Sequence, residues 1–347
     1  MNAANFARMR TLFTRYCLGA ALTAAAAMPL QQALAQSAFP EGMTIDAQPI
    51  TRFRLGSDES RFGSLEFVGG FSMYSGGRHF GGLSGFRYLD PGSDFIGVTD
   101  TGFWFFGRIE RNDAMQPVGV ADFRMMPMVD AAGAPLAGKN EADAEGLDVH
   151  DGIVTVSYER EHRIEEFALR PEEMGAPLRS IDFLVPRNEL RQNRGFETVA
   201  RAPDDSALAG ARVIVAERSI DADGNIFAAI LEGPRRGVFK VARDGDFDVT
   251  DGAFMPNGDL LLLERRFSMA QGVAMRLRRI KADTIRPGAL ADGPVLLDAD
   301  MSYQIDNMEG LDVWRHDDGK LMVSLISDDN HSILQRNLYL EFQLIEE

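Results

Sequence analysis

Acidic residues recur in this 347-residue chain beside short apolar segments that contain glycine. The openings are Glu145-Gly146-Leu147-Asp148, Gly195-Phe196-Glu197-Thr198, Asp251-Gly252-Ala253 and Asn307-Met308-Glu309-Gly310-Leu311-Asp312. A second set of acids closes the apolar runs that follow: Asp100, Glu159, Glu217, Glu264, Asp328 and Asp329. If the segments superpose about one axis, each set converges. Converging carboxylates raise one another's pKa unless they share a cation. Oxygen-only donors select hard ions such as Ca²⁺ or Mg²⁺. Glu145, Glu197 and Glu309 hold equivalent places in three segments and are the candidate catalytic residues. Together with Asp328 they are also the candidate metal ligands, with Ca²⁺ as the expected ion and water activated by it as the nucleophile. Arg160, Arg218 and Arg265 each follow a strand-ending Glu. A guanidinium binds phosphate or carboxylate bidentately, so these three and Asn330 are candidate contacts to an anionic ester. The competing reading is structural: each acid caps backbone amides or pairs with the arginine beside it.

Other chemistries lack their patterns. His79, His150, His162, His316 and His331 have no zinc-site spacing. Ser84 lies in Gly82-Leu83-Ser84-Gly85, one residue short of a nucleophile elbow. Asp221-Ala222-Asp223-Gly224-Asn225 has a calcium-loop composition, but its glycine is misplaced and no closing Glu follows, so it reads as a hairpin turn. Neither a P-loop nor a dinucleotide fingerprint occurs. The formal net charge of −16 disfavours nucleic acid as a partner.

The elements that must position these residues are short strands. The openings fall near residues 82, 145, 197, 251 and 309, a spacing of roughly 50 to 65 residues. Each leads through a turn to an apolar run, such as Ile153-Val154-Thr155-Val156, Val213-Ile214-Val215-Ala216 or Leu260-Leu261-Leu262-Leu263. Asp151-Gly152, Asn257-Gly258 and Asp318-Gly319 supply hairpin chemistry. Helical periodicity is scarce; Glu141 to Glu145 and Pro186 to Arg194 could each hold a turn or two. The pattern predicts an all-β fold, a β-propeller with five detectable blades. A sixth is allowed if one copy has drifted, within residues 40 to 80 or 110 to 135. The innermost strands are expected to begin near Leu83, Leu147, Thr198, Ala253 and Leu311. Strand-like runs at Ile50–Leu55, Leu65–Met73 and Asn337–Ile345 are expected to close the ring, because a closed β-fold must remove its edges.

Residues 1 to 35 read as an export signal. Arg8, Arg10 and Arg15 precede a Cys17–Met28 apolar run too short to span a bilayer, and Ala33-Leu34-Ala35 matches a cleavage site. Cleavage would remove the single cysteine, so neither a disulfide nor a thiol nucleophile is expected. Residues 36 to 347 then form a single domain, expected in the periplasm or outside the cell, without a membrane anchor and as a monomer.

Several motifs resemble those of the exported bacterial phytase-like family. They are Gly81-Gly82-Leu83-Ser84-Gly85, Glu145-Gly146-Leu147-Asp148, Asn193-Arg194-Gly195-Phe196-Glu197, Asn307-Met308-Glu309-Gly310-Leu311, Leu263-Glu264-Arg265-Arg266-Phe267, and Ser327-Asp328-Asp329-Asn330 with Gln335-Arg336. The resemblance runs over about residues 65 to 345. It implies an esterase-like activity related to phytase, and distant kinship with calcium-dependent β-propeller phytases, whose acidic channel holds metal ions and phosphate. No ligand of those phytases carries over residue by residue. The expected function is metal-assisted hydrolysis of a phosphate or other ester, on an anionic small molecule at the channel mouth. The alternative is a non-catalytic periplasmic propeller that binds a ligand or a protein.

N-terminal sequencing of the exported protein should find Gln36 first; an intact Met1 would contradict the signal reading.

Overall fold

Alternating apolar residues and Asp-Gly or Asn-Gly turns give a run of antiparallel hairpins in the computed structural model, which describes residues 41–345. Residues 1–35, read above as an export signal, lie outside the described residues. The hairpins form five sheets. The innermost strand of each blade is, in order, Leu83–Tyr88, Ala144–His150, Phe196–Arg201, Asp248–Phe254 and Asn307–Arg315. Each innermost strand lies beside the next around the ring, and the fifth lies beside the first. The propeller is therefore closed, with five blades. The sixth blade is excluded, because residues 40 to 80 and 110 to 135 belong to other blades. Leu65–Tyr74 and Asp46–Ile50 extend the fifth blade beyond Asn337–Leu344, and Pro117–Pro127 completes the first. The strands Asp46–Ile50 and Leu65–Tyr74 thus share one sheet with the C-terminal strand, the closure expected from the sequence. Glu41–Gly42 pairs with the outer strand of the first blade, so the N-terminal segment ties the fifth blade to the first.

The second strands pack between blades on both faces, which accounts for their unbroken apolar runs. Val213 to Ala216 and Leu260 to Leu263 are all fully buried. Between the first and second blades, Trp104 and Phe106 pack with Leu147, Val154, Val156 and Phe167. Among the described residues no helix is long and apolar enough to cross a membrane.

The inner strands approach one another closely. A Cβ at Gly85 would lie 2.5 Å from the Glu145 carbonyl oxygen, one at Gly146 2.5 Å from that of Glu197, and one at Gly310 2.8 Å from that of Ser84. Side chains are excluded at these contacts. The channel they enclose is crossed by Arg87. Its Nη1 donates to the carbonyls of Phe86 and Leu311 at 2.6 and 2.7 Å, and its Nη2 to those of Val199 and Gly252 at 3.1 and 2.9 Å. One guanidinium therefore bonds the backbone of four of the five inner strands. Asp251 balances it bidentately at 2.8 and 3.0 Å and accepts from the Leu311 and Gly252 amides as well. Both side chains are buried.

Arg87→Met leaves the Asp251 charge buried without its partner and should cost about 3 to 5 kcal/mol in urea unfolding. The double variant Arg87→Met with Asp251→Leu should cost less than the single. A single-variant loss below about 1 kcal/mol would contradict an axial role for this pair.

Candidate functional site

Each innermost strand carries a β-bulge close to its start, where its register against the second strand shifts by one residue. A bulge re-aims a side chain. The equivalent bulge positions are Ser84, Glu145, Glu197, Thr250 and Glu309, each directly after a residue paired across the hairpin. The three glutamates thus share one tier, as their sequence setting suggested. The fourth blade corrects the reading there: Thr250 holds the tier position, and Asp251 is the next residue, engaged by Arg87. Asp148 and Asp312, grouped with the opening acids in the sequence, instead line a separate cavity of about 460 Å³ at the C-terminal ends of the inner strands.

A second tier stands at the ends of the second strands: Asp100, Glu159, Glu217, Arg265 and Asp328. The pairs Leu83–Thr99, Ala144–Tyr158, Phe196–Ala216, Val249–Glu264 and Met308–Ser327 set the equivalence, one residue before each tier position. Arg265 therefore replaces a carboxylate. Glu264, placed in this ring from the sequence, is buried one position earlier and pairs with Arg278. Arg265 is accordingly not equivalent to Arg160 and Arg218, which follow their tier acids.

Thr250 apart, the tiers together line a cavity of about 230 Å³ at the mouth formed by the N-terminal ends of the inner strands. Eight carboxylates and four cationic side chains face it. Glu145, Glu197, Glu309, Asp328, Arg160, Arg265 and Asn330, all proposed from the sequence, are brought together here. Arg218 is not: its Nε lies 3.2 Å from Asp248 in an adjoining groove. The cations are already engaged. Lys139 is 2.8 Å from Asp100, Arg160 2.9 Å from Asp143, Arg194 2.8 Å from Glu217, and Arg265 2.7 Å from Glu309. Glu309 also accepts from Asn307 Nδ2 at 2.7 Å. The carboxylates of Glu145 and Glu197 have no hydrogen-bond or ion-pair partner among the described residues. Among the described residues Glu159 accepts only from the Gly195 amide, at 3.3 Å. One buried oxygen each of Asp100 and Asp328 has no donor.

Oxygens of Asp143, Glu145 and Glu159 lie within 4.8 Å of one another, and so do those of Glu159, Glu197 and Glu217. Glu159 joins the two sets. Burial lifts these acids, and their neighbours lift them further. Glu159 is pushed up to about 7 by burial, then by Glu217 and Asp143. Asp328 rises to about 7 by burial, with Asp100 adding to it. Glu309 rises to about 8 by burial, against the pull of Arg265. Glu145 and Glu197 stand well above the usual carboxylate range, through burial and then through Asp143 and Glu145 respectively. Closely spaced carboxylates that offer only oxygen, two of them without donors among the described residues, fit a hard divalent cation.

Asp143, Glu159 and Glu217 were not proposed as ligands from the sequence, although Glu159 and Glu217 were placed in the second set of acids. Asp143 follows a short helix, Lys139–Ala142, in a stretch read as helical. Its signal is positional: it precedes its inner strand as Gly82 and Gly195 precede theirs.

A family model described as "Phytase-like: Esterase-like activity of phytase" matches residues 78–331. A comparison with curated protein sequences gave no match. Among solved structures, an endo-arabinase from Bacteroides thetaiotaomicron is similar, with a TM-score of 0.45 and 11% identity, over 77% of this chain and 94% of that one. An exo-1,5-alpha-L-arabinanase from a bovine ruminal metagenomic library has a TM-score of 0.39 and 11% identity, over 74% and 96%. The WD40 domain of Toxoplasma gondii coronin has a TM-score of 0.34 and 7% identity, over 90% and 89%.

A carboxyl whose pKa rises on folding stabilises the fold below its unfolded value and loses that contribution as pH climbs through its folded value. With Glu159 and Asp328 near 7 and Glu309 near 8, the metal-free protein should melt at progressively lower temperature from pH 5 to pH 9. Calcium competes with those protons, so its thermal shift should be larger at pH 8 than at pH 5. A calcium shift independent of pH would contradict a carboxylate cation site.

Proposed function

The chain belongs to the phytase-like family, esterase-like activity of phytase, and from that premise we propose that it hydrolyses anionic small-molecule esters at the acid-rich mouth with the help of a hard divalent cation, Ca²⁺ first. Export, read from residues 1 to 35, is part of the same proposal. The observation that carries it is the pair of three-carboxylate sets sharing Glu159, with Glu145 and Glu197 otherwise unpartnered and Arg265 close by.

Asp143, Glu145, Glu159, Glu197 and Glu217 are the residues that would hold the ion. When bound, such a cation polarises an ester oxygen and lowers the pKa of water. The chain's own groups do the rest. Arg265 lies between Glu309 and Glu217, 2.7 and 3.6 Å away, and its guanidinium offers further N–H donors to an anionic oxygen. Glu309, pushed up to about 8, keeps a proton through neutral pH. Its Oε1 is occupied by Asn307 and Arg265, leaving Oε2 to carry that proton. It is thereby suited to protonate a leaving-group oxygen, a step that general acids accelerate by about 10² to 10⁴. Glu309, proposed from the sequence as a ligand, fits the acid's role better, since it belongs to neither three-carboxylate set and its Oε1 is already hydrogen-bonded. Asn330, at the edge of the cavity, is a neutral donor for the same substrate.

Glu197→Gln keeps size and removes charge. Calcium affinity by isothermal titration should fall at least about tenfold, and turnover of a phosphate or carboxylic ester by about 10² or more, with the fold intact by circular dichroism. Chelator should abolish wild-type turnover. Full turnover in chelator, or in Glu197→Gln, would overturn the cation-assisted mechanism. Calcium binding without turnover of any ester would favour the binding propeller instead.

A further inference from the structure

The mouth continues outward. Arg194, Glu217, Arg265 and Asn330 line both the acid-rich cavity and a larger groove of about 880 Å³. The groove is lined by the hairpin that joins Leu260–Ser268 to Gly272–Ile280 in the fourth blade, by residues 330 to 336 of the fifth, and by the link between those blades. Its chemistry differs from the mouth's. Five arginines face four carboxylates here, whereas in the mouth four cations face eight. Four of the five have acid partners: Arg194 with Glu217, Arg218 with Asp248, Arg265 with Glu309 and Arg336 with Asp306. Arg266 has no acid partner among the described residues. Its Nε is buried with no acceptor, and its guanidinium stands 5.0 Å from the Phe247 ring. The same groove exposes large apolar side chains: Phe267 is 66%, Met301 55% and Leu334 88% open to solvent. An uncompensated guanidinium next to uncovered apolar surface matches a ligand that is anionic at one end and apolar at the other.

We propose that the substrate is an amphiphilic anionic ester: its charged head lies at the end of the Leu260–Ser268 strand, where Arg265 and Arg266 line the groove from opposite faces, and its apolar chain or ring runs along the groove over Phe267, Met301 and Leu334. This deepens the hydrolase reading, on which it rests for the ester bond, and it sets the substrate apart from fully hydrophilic polyphosphates. The occupant is a small molecule, because the groove leads directly into the acid-rich cavity through residues that line both.

The test separates binding from turnover. A series of n-alkylphosphonates from ethyl to octyl, kept below micelle-forming concentration, is titrated into the protein by calorimetry, with and without calcium. Affinity should rise about two- to fourfold per methylene, the upper value being full burial. Leu334→Ser and Phe267→Ser should flatten that dependence while leaving ethylphosphonate unchanged. Arg266→Gln should weaken every member about tenfold or more, and Arg266→Lys should recover part of the loss. Equal affinity for ethyl- and octylphosphonate overturns the proposal. So does a Leu334→Ser variant that changes the sedimentation mass but not the binding series, since the rim would then be an interface between copies. A normal chain-length series in a protein that hydrolyses no ester upholds the groove and refutes the hydrolase. Turnover of short esters with no chain-length effect does the reverse.

Discussion

A buried guanidinium on the axis of the ring constrains much of this molecule. Arg87 donates to backbone carbonyls of four inner strands, and the low-dielectric channel demands a counter-charge, which Asp251 provides. The contact forces the inner strands together. That closeness explains why glycine stands at 85, 146 and 310, where a Cβ would meet the neighbouring backbone. With the strands this near, the bulge at the start of four of them turns its extra residue toward the mouth, and Thr250 in the fourth blade bonds the Met308 carbonyl instead. The acidic tiers are thus a product of the packing that Arg87 secures, and Arg87 itself lines the cavity at the opposite end. The two ends of the channel are chemically distinct, one lined by eight carboxylates and the other holding Asp148 and Asp312 with Arg201.

Fivefold repetition alone would have made a symmetric ring of acids, which charge repulsion disfavours. The blades have diverged in a way that gives the mouth a direction. The second and third blades supply the two carboxylate sets, through Asp143, Glu145, Glu159, Glu197 and Glu217. The first contributes Ser84 to the inner tier. The fourth contributes Thr250 and Arg265 in place of two acids. The two three-carboxylate sets therefore stand on the side of the second and third blades, while Arg265 enters the mouth from the fourth, where the groove with Arg266 opens. The proposed ester with a negative head would use both.

Much of the architecture was legible because the turns and apolar runs are local signals. Asp-Gly and Asn-Gly pairs mark the hairpins, and doubly buried second strands show as unbroken apolar runs. Closure by terminal strands followed from the need to remove edges. What the sequence hid was register. A bulge adds one residue without leaving a mark in composition, so Asp251-Gly252 could pass for a copy of Glu145-Gly146 although it stands one place further along. The same slip made Glu264, not Arg265, the fourth member of the second tier. It also set Arg160, Arg218 and Arg265 side by side as equivalents, although only Arg265 belongs to the tier. Arg87 was invisible for another reason. It has no counterpart in the other blades, and arginine is rarely buried without a special role.

Anomalous diffraction from crystals grown with Mn²⁺, as a stand-in for Ca²⁺, addresses the cation site at its centre. The account predicts at least one strong peak among the carboxylates of Asp143, Glu145, Glu159, Glu197 and Glu217, with Arg265 outside the coordination sphere. No peak there at saturating manganese, with Glu145 and Glu197 hydrogen-bonded as neutral acids, would contradict it.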